Sequence, residues 1–226
     1  MRAEKPASIY LLRHGHSTAN AKSVLAGRDF KVGLTTTGQK QALAVATELS
    51  DKKFAKIYSS PLPRCLQTLE PLASKLKKEV LISEGLIEME YGDWSGKKLG
   101  LLSRNKLWKT IQNNPSLVRF PNGESFLEMQ SRALESVTSL ALPGKNVLLC
   151  SHGDVIKAIV AGFLGLHLDR FQSLSIDPAS ITVIDLTSGG SRLRFMNSTS
   201  YLKELRFTAS ADQKLNLGGG SGAVRE

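Results

Sequence analysis

Ile9-Tyr10-Leu11-Leu12-Arg13-His14-Gly15-His16-Ser17 is the stretch from which the rest of the chain is best understood. Four apolar residues in a row read as a buried strand. The run then stops at a cation, an imidazole and a glycine. A strand that delivers Arg-His-Gly at its C-terminal end is poorly suited to packing and well suited to chemistry. Taken alone, the pair Arg13-His14 is equally readable as a core histidine beside a surface arginine, so the surrounding sequence has to decide.

The chain has 226 residues, 41% of them hydrophobic and 22% charged, which fits a globular fold rather than a disordered one. We expect a single catalytic domain over residues 1–209 and a disordered tail over 210–226, where Gly218-Gly219-Gly220-Ser221-Gly222 lies. No apolar run approaches the ~20 residues of a membrane-spanning helix, and Met1–Pro6 leads straight into the first strand without the pattern of a secretory signal. Two cysteines, Cys65 and Cys150, make no disulfide framework. Cytoplasmic residence and no membrane partner are therefore expected.

The formal charge of +10 is unevenly placed, +9 falling in residues 1–112 and +1 in the remainder. Such a field attracts anions. Basic helices with heptads, zinc-type spacing and interleaved aromatics are all missing, so no nucleic-acid partner is expected. Lys52-Lys53 and Lys75–Lys78 fall at the ends of expected helices, where they complement the helix dipole.

Strand and helix patterns alternate along the chain. A helix is expected over 36–49, with Thr36 and Gln39 as a capping box and Leu43, Ala46 and Leu49 in helical spacing. Ile57–Ser60 reads as a strand, Pro63 to about Leu76 as a helix, and Val80–Ile82 as a third strand. Lys97–Pro121 is less regular, helical around 101–112. Ser125-x-x-Glu128 opens a helix with Leu127, Leu134, Val137 and Leu140 or Ala141 as its expected buried stripe. Asn146–Cys150 is a fourth strand, Val155–Leu166 an apolar helix, and Ile181–Leu186 and Arg192–Phe195 pair through Ser188-Gly189-Gly190.

This alternation predicts an α/β fold, a three-layer α/β/α sandwich around a mainly parallel sheet. Such sheets bind ligands beyond the C-terminal ends of their strands. The first strand delivers Arg13 and His14 there, the second Arg64, the third Glu88, and the fourth His152. Packing alone does not account for that convergence.

Four ordered segments carry a resemblance. They are Leu12-Arg13-His14-Gly15-x-Ser17-x-x-Asn20, Ser59-Ser60-Pro61-Leu62-x-Arg64-x-x-x-Thr68, Leu86-x-Glu88-x-x-Tyr91-Gly92-x-Trp94-x-Gly96 and Ser151-His152-Gly153. Together they resemble the histidine phosphatase superfamily, also called phosphoglycerate-mutase-like, over residues 8–165. Phe120–Ser125 and Ser151–Ala158 are similar to segments of actinobacterial probable phosphomutases. The resemblance implies a phosphomonoester phosphatase with a covalent phosphohistidine and a small phosphorylated substrate. His14 would be the nucleophile, its other ring nitrogen held by an acceptor such as a backbone carbonyl.

By the same resemblance Arg13 and Arg64 clamp the phosphate oxygens, and His152, protonated, adds a donor. Asn20, Gly27 and Gly153 join the phosphate site, and Glu88 is general acid and then general base. Glu90 is a rival for that role; Glu88 keeps the family spacing to Tyr91-Gly92.

The resemblance implies no cofactor and no metal, although His14, His16, His152 and Asp154 could be drawn together as a metal site. His167 reads as a surface or structural residue, and Trp94 and Trp108 as pocket wall or core. A phosphoglycerate-mutase-type phosphomutase is the alternative. It is less favoured because Asp154 stands where those mutases carry Asn and because Lys97–Pro121 lacks their Arg-rich pattern. A phosphate-binding regulatory module without catalysis is a weaker third reading. The physiological substrate and the oligomeric state are not legible.

Overall fold

The computed structural model describes residues 5–205. The expected tail, 210–226, lies outside the described residues. Strand β1 (Ala7–Arg13) is followed by a one-turn helix α1 (Thr18–Ala21) and by α2 (Thr36–Leu49). Then come β2 (Phe54–Ser59), α3 (Pro63–Leu76), β3 (Val80–Ile82), α4 (Leu99–Leu102), α5 (Lys106–Asn113) and α6 (Phe126–Leu140). Strand β4 (Asn146–Ser151), α7 (Gly153–Phe163), β5 (Ile181–Thr187) and β6 (Gly190–Ser198) complete the described elements.

The six strands form one sheet in the order β3-β2-β4-β1-β5-β6. The first four are mutually parallel, and β5 and β6 add an antiparallel edge. Strand β1 lies between β4 and β5 and is buried along its whole length. Side chains alternate across it as a pleated strand requires. Ile9 and Leu11 pack with Val147, Leu149 and helices α6 and α7, while Tyr10 and Leu12 pack with Leu148, Cys150 and helices α2 and α3. The result is the expected three-layer α/β/α arrangement.

Local chemistry sets the element ends. Thr35, not Thr36, caps α2 by accepting from the Gly38 amide. Pro63 opens α3 at a position where its missing N–H costs nothing. Ser125 and Glu128 form the expected capping box on α6. Asn105 separates two short helices, α4 and α5, where one was expected, because its side chain caps the Leu107 amide.

Two buried faces differ from the sequence expectation. On α6 the buried residues are Phe126, Met129, Ala133 and Val137, whereas Leu127 is 54% exposed. On α2 Leu43 is 60% exposed, and Gly38, Gln41, Ala42, Val45, Ala46 and Leu49 face inward. Helix α2 places Gly38, Ala42 and Ala46 against its neighbours, so close approach of backbones outweighs the hydrophobicity of a single leucine, whereas α6 buries Phe126 and Met129 in place of Leu127. Gly38 shows how close: a Cβ there would lie 2.1 Å from the His16 carbonyl oxygen.

Candidate active site

The register of the parallel strands assembles the site. Arg13 is opposite Ser151, and Ser59 is opposite Cys150. The pairing runs one step past the strand ends, the His14 amide donating to Ser151 O at 3.0 Å and the Ser60 amide to Cys150 O at 2.9 Å. His14, Ser60 and His152 therefore leave three adjacent strands at one level. The rings of His14 and His152 sit 5.2 Å apart, centroid to centroid. Arg13, His14, Arg64, Glu88 and His152 are all buried.

His14 Nδ1 lies 2.8 Å from Gly15 O. A carbonyl only accepts, so Nδ1 donates and Nε2 carries the lone pair in the neutral ring. Burial, then the positive fields of Arg64 and Arg13, hold the His14 pKa well below the ordinary imidazole range. The free base is thus the resting form.

The two guanidinium groups are held from behind. Arg13 donates one Nη1 bond of 2.5 Å to Ile176 O, and Arg64 donates one Nη2 bond of 2.8 Å to Gly27 O. Arg64 Nη1 is buried and makes no hydrogen bond, leaving a donor in place for an anion. Gly27 sits at φ +55°, where a side chain would be strained, and a Cβ would lie 2.6 Å from Ser95 Oγ. It thus bears on the anion site through the Arg64 side chain its carbonyl holds.

Glu88 Oε2 lies 3.7 Å from His152 Nδ1, and its Oε1 accepts from the Met89 amide at 2.9 Å. Burial, reinforced by the charge of Asp154, pushes the Glu88 carboxyl up to about 7. That value suits a group that must give and take one proton near neutrality. Glu90, by contrast, turns outward to pair with Arg28 at 3.6 Å.

His152 departs from its expected state. Burial first, then Arg64, His14 and Arg13, push its pKa well below the ordinary range, so the ring is neutral in the free protein rather than protonated. Its Nε2 lies 2.7 Å from Ser60 Oγ. Asn20 Oδ1 is occupied by the Ser17 amide and hydroxyl at the start of α1, so only its Nδ2 remains for a ligand. Gly153 is the first residue of α7, where backbone amides point outward.

The residues weighed for a metal face different ways. His16 Nδ1 meets Thr35 Oγ1 at 2.9 Å, and Asp154 accepts from Tyr91 Oη at 2.6 Å. Among the described residues no group of three or more His, Cys, Asp or Glu is placed to hold a metal ion. His167 is exposed, and Trp94 stacks on Trp108 at 6.4 Å in the core beside α5. Two residues of the site, Ser60 and Thr68, were visible only as motif letters. Thr68 Oγ1 accepts from the Gly15 amide at 2.9 Å and donates to Arg64 O at 2.6 Å, tying the nucleophile's turn to α3.

A parallel sheet with two histidines, two arginines and a high-pKa carboxyl at its C-terminal edge defines an enzyme of phosphoryl transfer. Residues 9–199 match the histidine phosphatase superfamily (branch 1), and the chain belongs to that family. It is 32% identical over 202 residues to the putative phosphoserine phosphatase 2 of Hydrogenobacter thermophilus, covering 87% of this chain and 98% of that protein. It is 33% identical over 184 residues to the 2,3-bisphosphoglycerate-dependent phosphoglycerate mutase of Thermoplasma acidophilum, covering 79% and 87%. Among solved structures, a phosphoserine phosphatase of Entamoeba histolytica matches with a TM-score of 0.79 and 27% identity, over 86% of this chain and 98% of that one. Relatives of both kinds, phosphatases and phosphomutases, make the chain an enzyme of this superfamily. Among the described residues no helix is long and apolar enough to cross a membrane.

Proposed function

We propose that the chain is a phosphomonoester phosphatase that forms a covalent phosphohistidine at His14 on a small phosphorylated metabolite. The observation that carries this is the tautomer of His14: Gly15 O holds Nδ1, so the Nε2 lone pair is free while two buried arginines stand ready for the phosphate. Nε2 attacks phosphorus, a P–N bond forms, and the ester P–O bond breaks. Arg13, Arg64 and the amide of Gly153 stabilise the charge spread over the equatorial oxygens. His152 donates through one ring N–H and takes up a proton only when the dianion is present to favour it.

The leaving oxygen takes its proton from Glu88, whose carboxyl near 7 is about half protonated at neutral pH. The resulting carboxylate then accepts a proton from water as that water attacks the phosphohistidine, and orthophosphate leaves. No metal is required by this scheme, because the two arginines supply the positive charge. One catalytic domain over residues 1–209, acting in the cytoplasm, fits the two buried free thiols of Cys65 and Cys150.

Similarity to the Thermoplasma mutase supports phosphomutase as the second reading. Asp154, buried and bonded to Tyr91, stands where the resemblance puts Asn in phosphoglycerate mutases, and that departure favours water as acceptor here. A panel of phosphomonoesters ranked by kcat/KM tests the proposal, with phosphoserine, phosphoglycerates, sugar phosphates and nucleotides as members. Release of orthophosphate with a His14 phosphoenzyme is expected; phosphoglycerate interconversion dependent on a bisphosphate would assign the mutase instead.

A further inference from the structure

The loop that carries Glu88 is held from its back by a charged cluster drawn from three separate segments of the chain. Arg132, on α6, uses every donor of its guanidinium. Nη1 donates to Gly85 O at 3.0 Å and to Ile87 O at 2.8 Å. Nη2 donates to Glu88 O at 3.1 Å and to Glu124 Oε1 at 2.7 Å, and Nε to Glu124 Oε2 at 3.0 Å. Three of those five bonds thus end on consecutive turns of one loop.

Arg28 approaches the same point from the other side. Its Nε donates to Glu88 O at 2.9 Å and its Nη2 to Glu124 Oε1 at 3.1 Å. The Glu90 amide also donates to Glu124 Oε1, at 2.8 Å. The carbonyl of Glu88 is therefore fixed by two guanidinium groups at once, and one carboxylate holds both of them in register. The loop has little regular structure of its own, two short 3₁₀ turns over Glu84–Leu86 and Gly92–Trp94 on either side of Glu88. Without the fork, the Gly85 and Ile87 carbonyls would lose their Arg132 donors, the Glu88 carbonyl would keep only Arg28, and the backbone that aims the Glu88 carboxyl would be free to shift.

We propose that Arg132, with Glu124 and Arg28, is a positioning device for the general acid, holding the Glu88 carboxyl at the distance and angle from which it protonates the leaving oxygen. This rests on the role of Glu88 under the proposed function. A planar fork with five donors suits the task, and lysine is no substitute because it cannot reach three carbonyls and a carboxylate in one plane. Proton transfer is sensitive to such geometry: a misplacement of about 1 Å can cost on the order of 10²-fold. The hydrogen bonds of Arg132 and Arg28 end on the loop backbone and on Glu124, not on His14, Arg13, Arg64 or His152, and Arg132→Lys keeps the positive charge that Arg132 projects onto His152.

The test uses pre-steady-state bursts of the full chain with phenyl phosphate, whose leaving group is strongly basic, and with p-nitrophenyl phosphate, whose leaving group is not. Arg132→Lys is expected to slow the phenyl phosphate burst roughly 10- to 100-fold, to leave the p-nitrophenyl phosphate burst within about threefold, and to change kcat more than KM. In the Glu88→Gln background the same substitution should cost nothing further with phenyl phosphate, since there is no acid left to aim.

Equal losses for the two substrates, or full additivity with Glu88→Gln, would make Arg132 a structural residue only and overturn the proposal. If Arg132→Lys does not melt cooperatively, Arg28→Lys is read the same way, because it removes one of the two donors on the Glu88 carbonyl and keeps all five Arg132 bonds. A Glu88→Gln enzyme without leaving-group selectivity would instead refute Glu88 as the acid, taking the positioning role with it. That failure is distinguished by appearing in the single variant that leaves the cluster intact.

Discussion

Replacing Glu88 by Gln is expected to stabilise the folded protein at alkaline pH and to change little at acid pH. The carboxyl is buried and titrates at about 7, against 4.5 for an unperturbed glutamate. Between those two pH values the unfolded chain has released the proton and the folded one still holds it. The native state then binds more protons, so stability falls as pH rises through this window. The gap of about 2.5 pH units, at about 1.36 kcal/mol each, corresponds to about 3 kcal/mol of native-state destabilisation, complete above pH 7 and absent below pH 4.5.

Glutamine cannot ionise, and its Oε1 can keep the bond from the Met89 amide. Wild type and Glu88→Gln should therefore unfold at similar urea concentrations at pH 4.5. At pH 8.5 the variant should be more stable by up to about 3 kcal/mol, roughly 6–12 °C in Tm for a chain of this size. The assay is urea unfolding in phosphate-free buffers, because bound phosphate would add its own linkage. A difference between the two proteins that is the same at both pH values would refute the reasoning. So would a variant that is the less stable at pH 8.5, since the carboxyl would then be favoured in its charged form.

The remaining predictions concern chemistry and packing. Glu88→Gln should slow the burst with alkyl phosphates by roughly 10²–10⁴ and the p-nitrophenyl phosphate burst much less, as read by rapid mixing. A phosphoenzyme trapped without acid should map to His14 and be lost in His14→Ala; label on His152 would refute the assignment. Dialysis against EDTA should leave activity intact, and loss restored by one divalent ion would revive the site once drawn from His14, His16 and Asp154. In α6, Met129→Ala should cost about 2–5 kcal/mol of stability in urea unfolding, because Met129 is buried. Leu127→Ser, at an exposed position, should stay within about 0.5 kcal/mol.

What was legible in the sequence follows from how its signals are written. A buried strand ending in Arg13-His14 shows itself through four adjacent apolar residues, and the capping box on α6 through Ser125 and Glu128. Helix faces were less legible. Leu127 and Leu134 looked like the buried stripe, yet Phe126, Met129 and Ala133 take that place, because the buried side depends on which neighbour the helix meets and how closely. The neutral resting state of His152 is illegible in the sequence for a similar reason. Its residue type says imidazole, while burial and the fields of Arg64, His14 and Arg13 are sums over the assembled site.

By itself, then, the sequence determined the alternation of strands and helices, the residue types at the strand ends, and through four ordered motifs the family. These are local properties, set by periodicity, caps and spacing within a few residues. Only the tertiary structure decided that Gly15 O fixes the His14 tautomer, that Glu88 rather than Glu90 faces His152, and that Arg28, Glu124 and Arg132 meet behind the Glu88 carbonyl. Those three residues span more than a hundred positions, from Arg28 to Arg132, and no pattern along the chain couples them. Their meeting is fixed by the packing of α6 and two loops on one another, and burial then sets the proton affinities on which the chemistry depends.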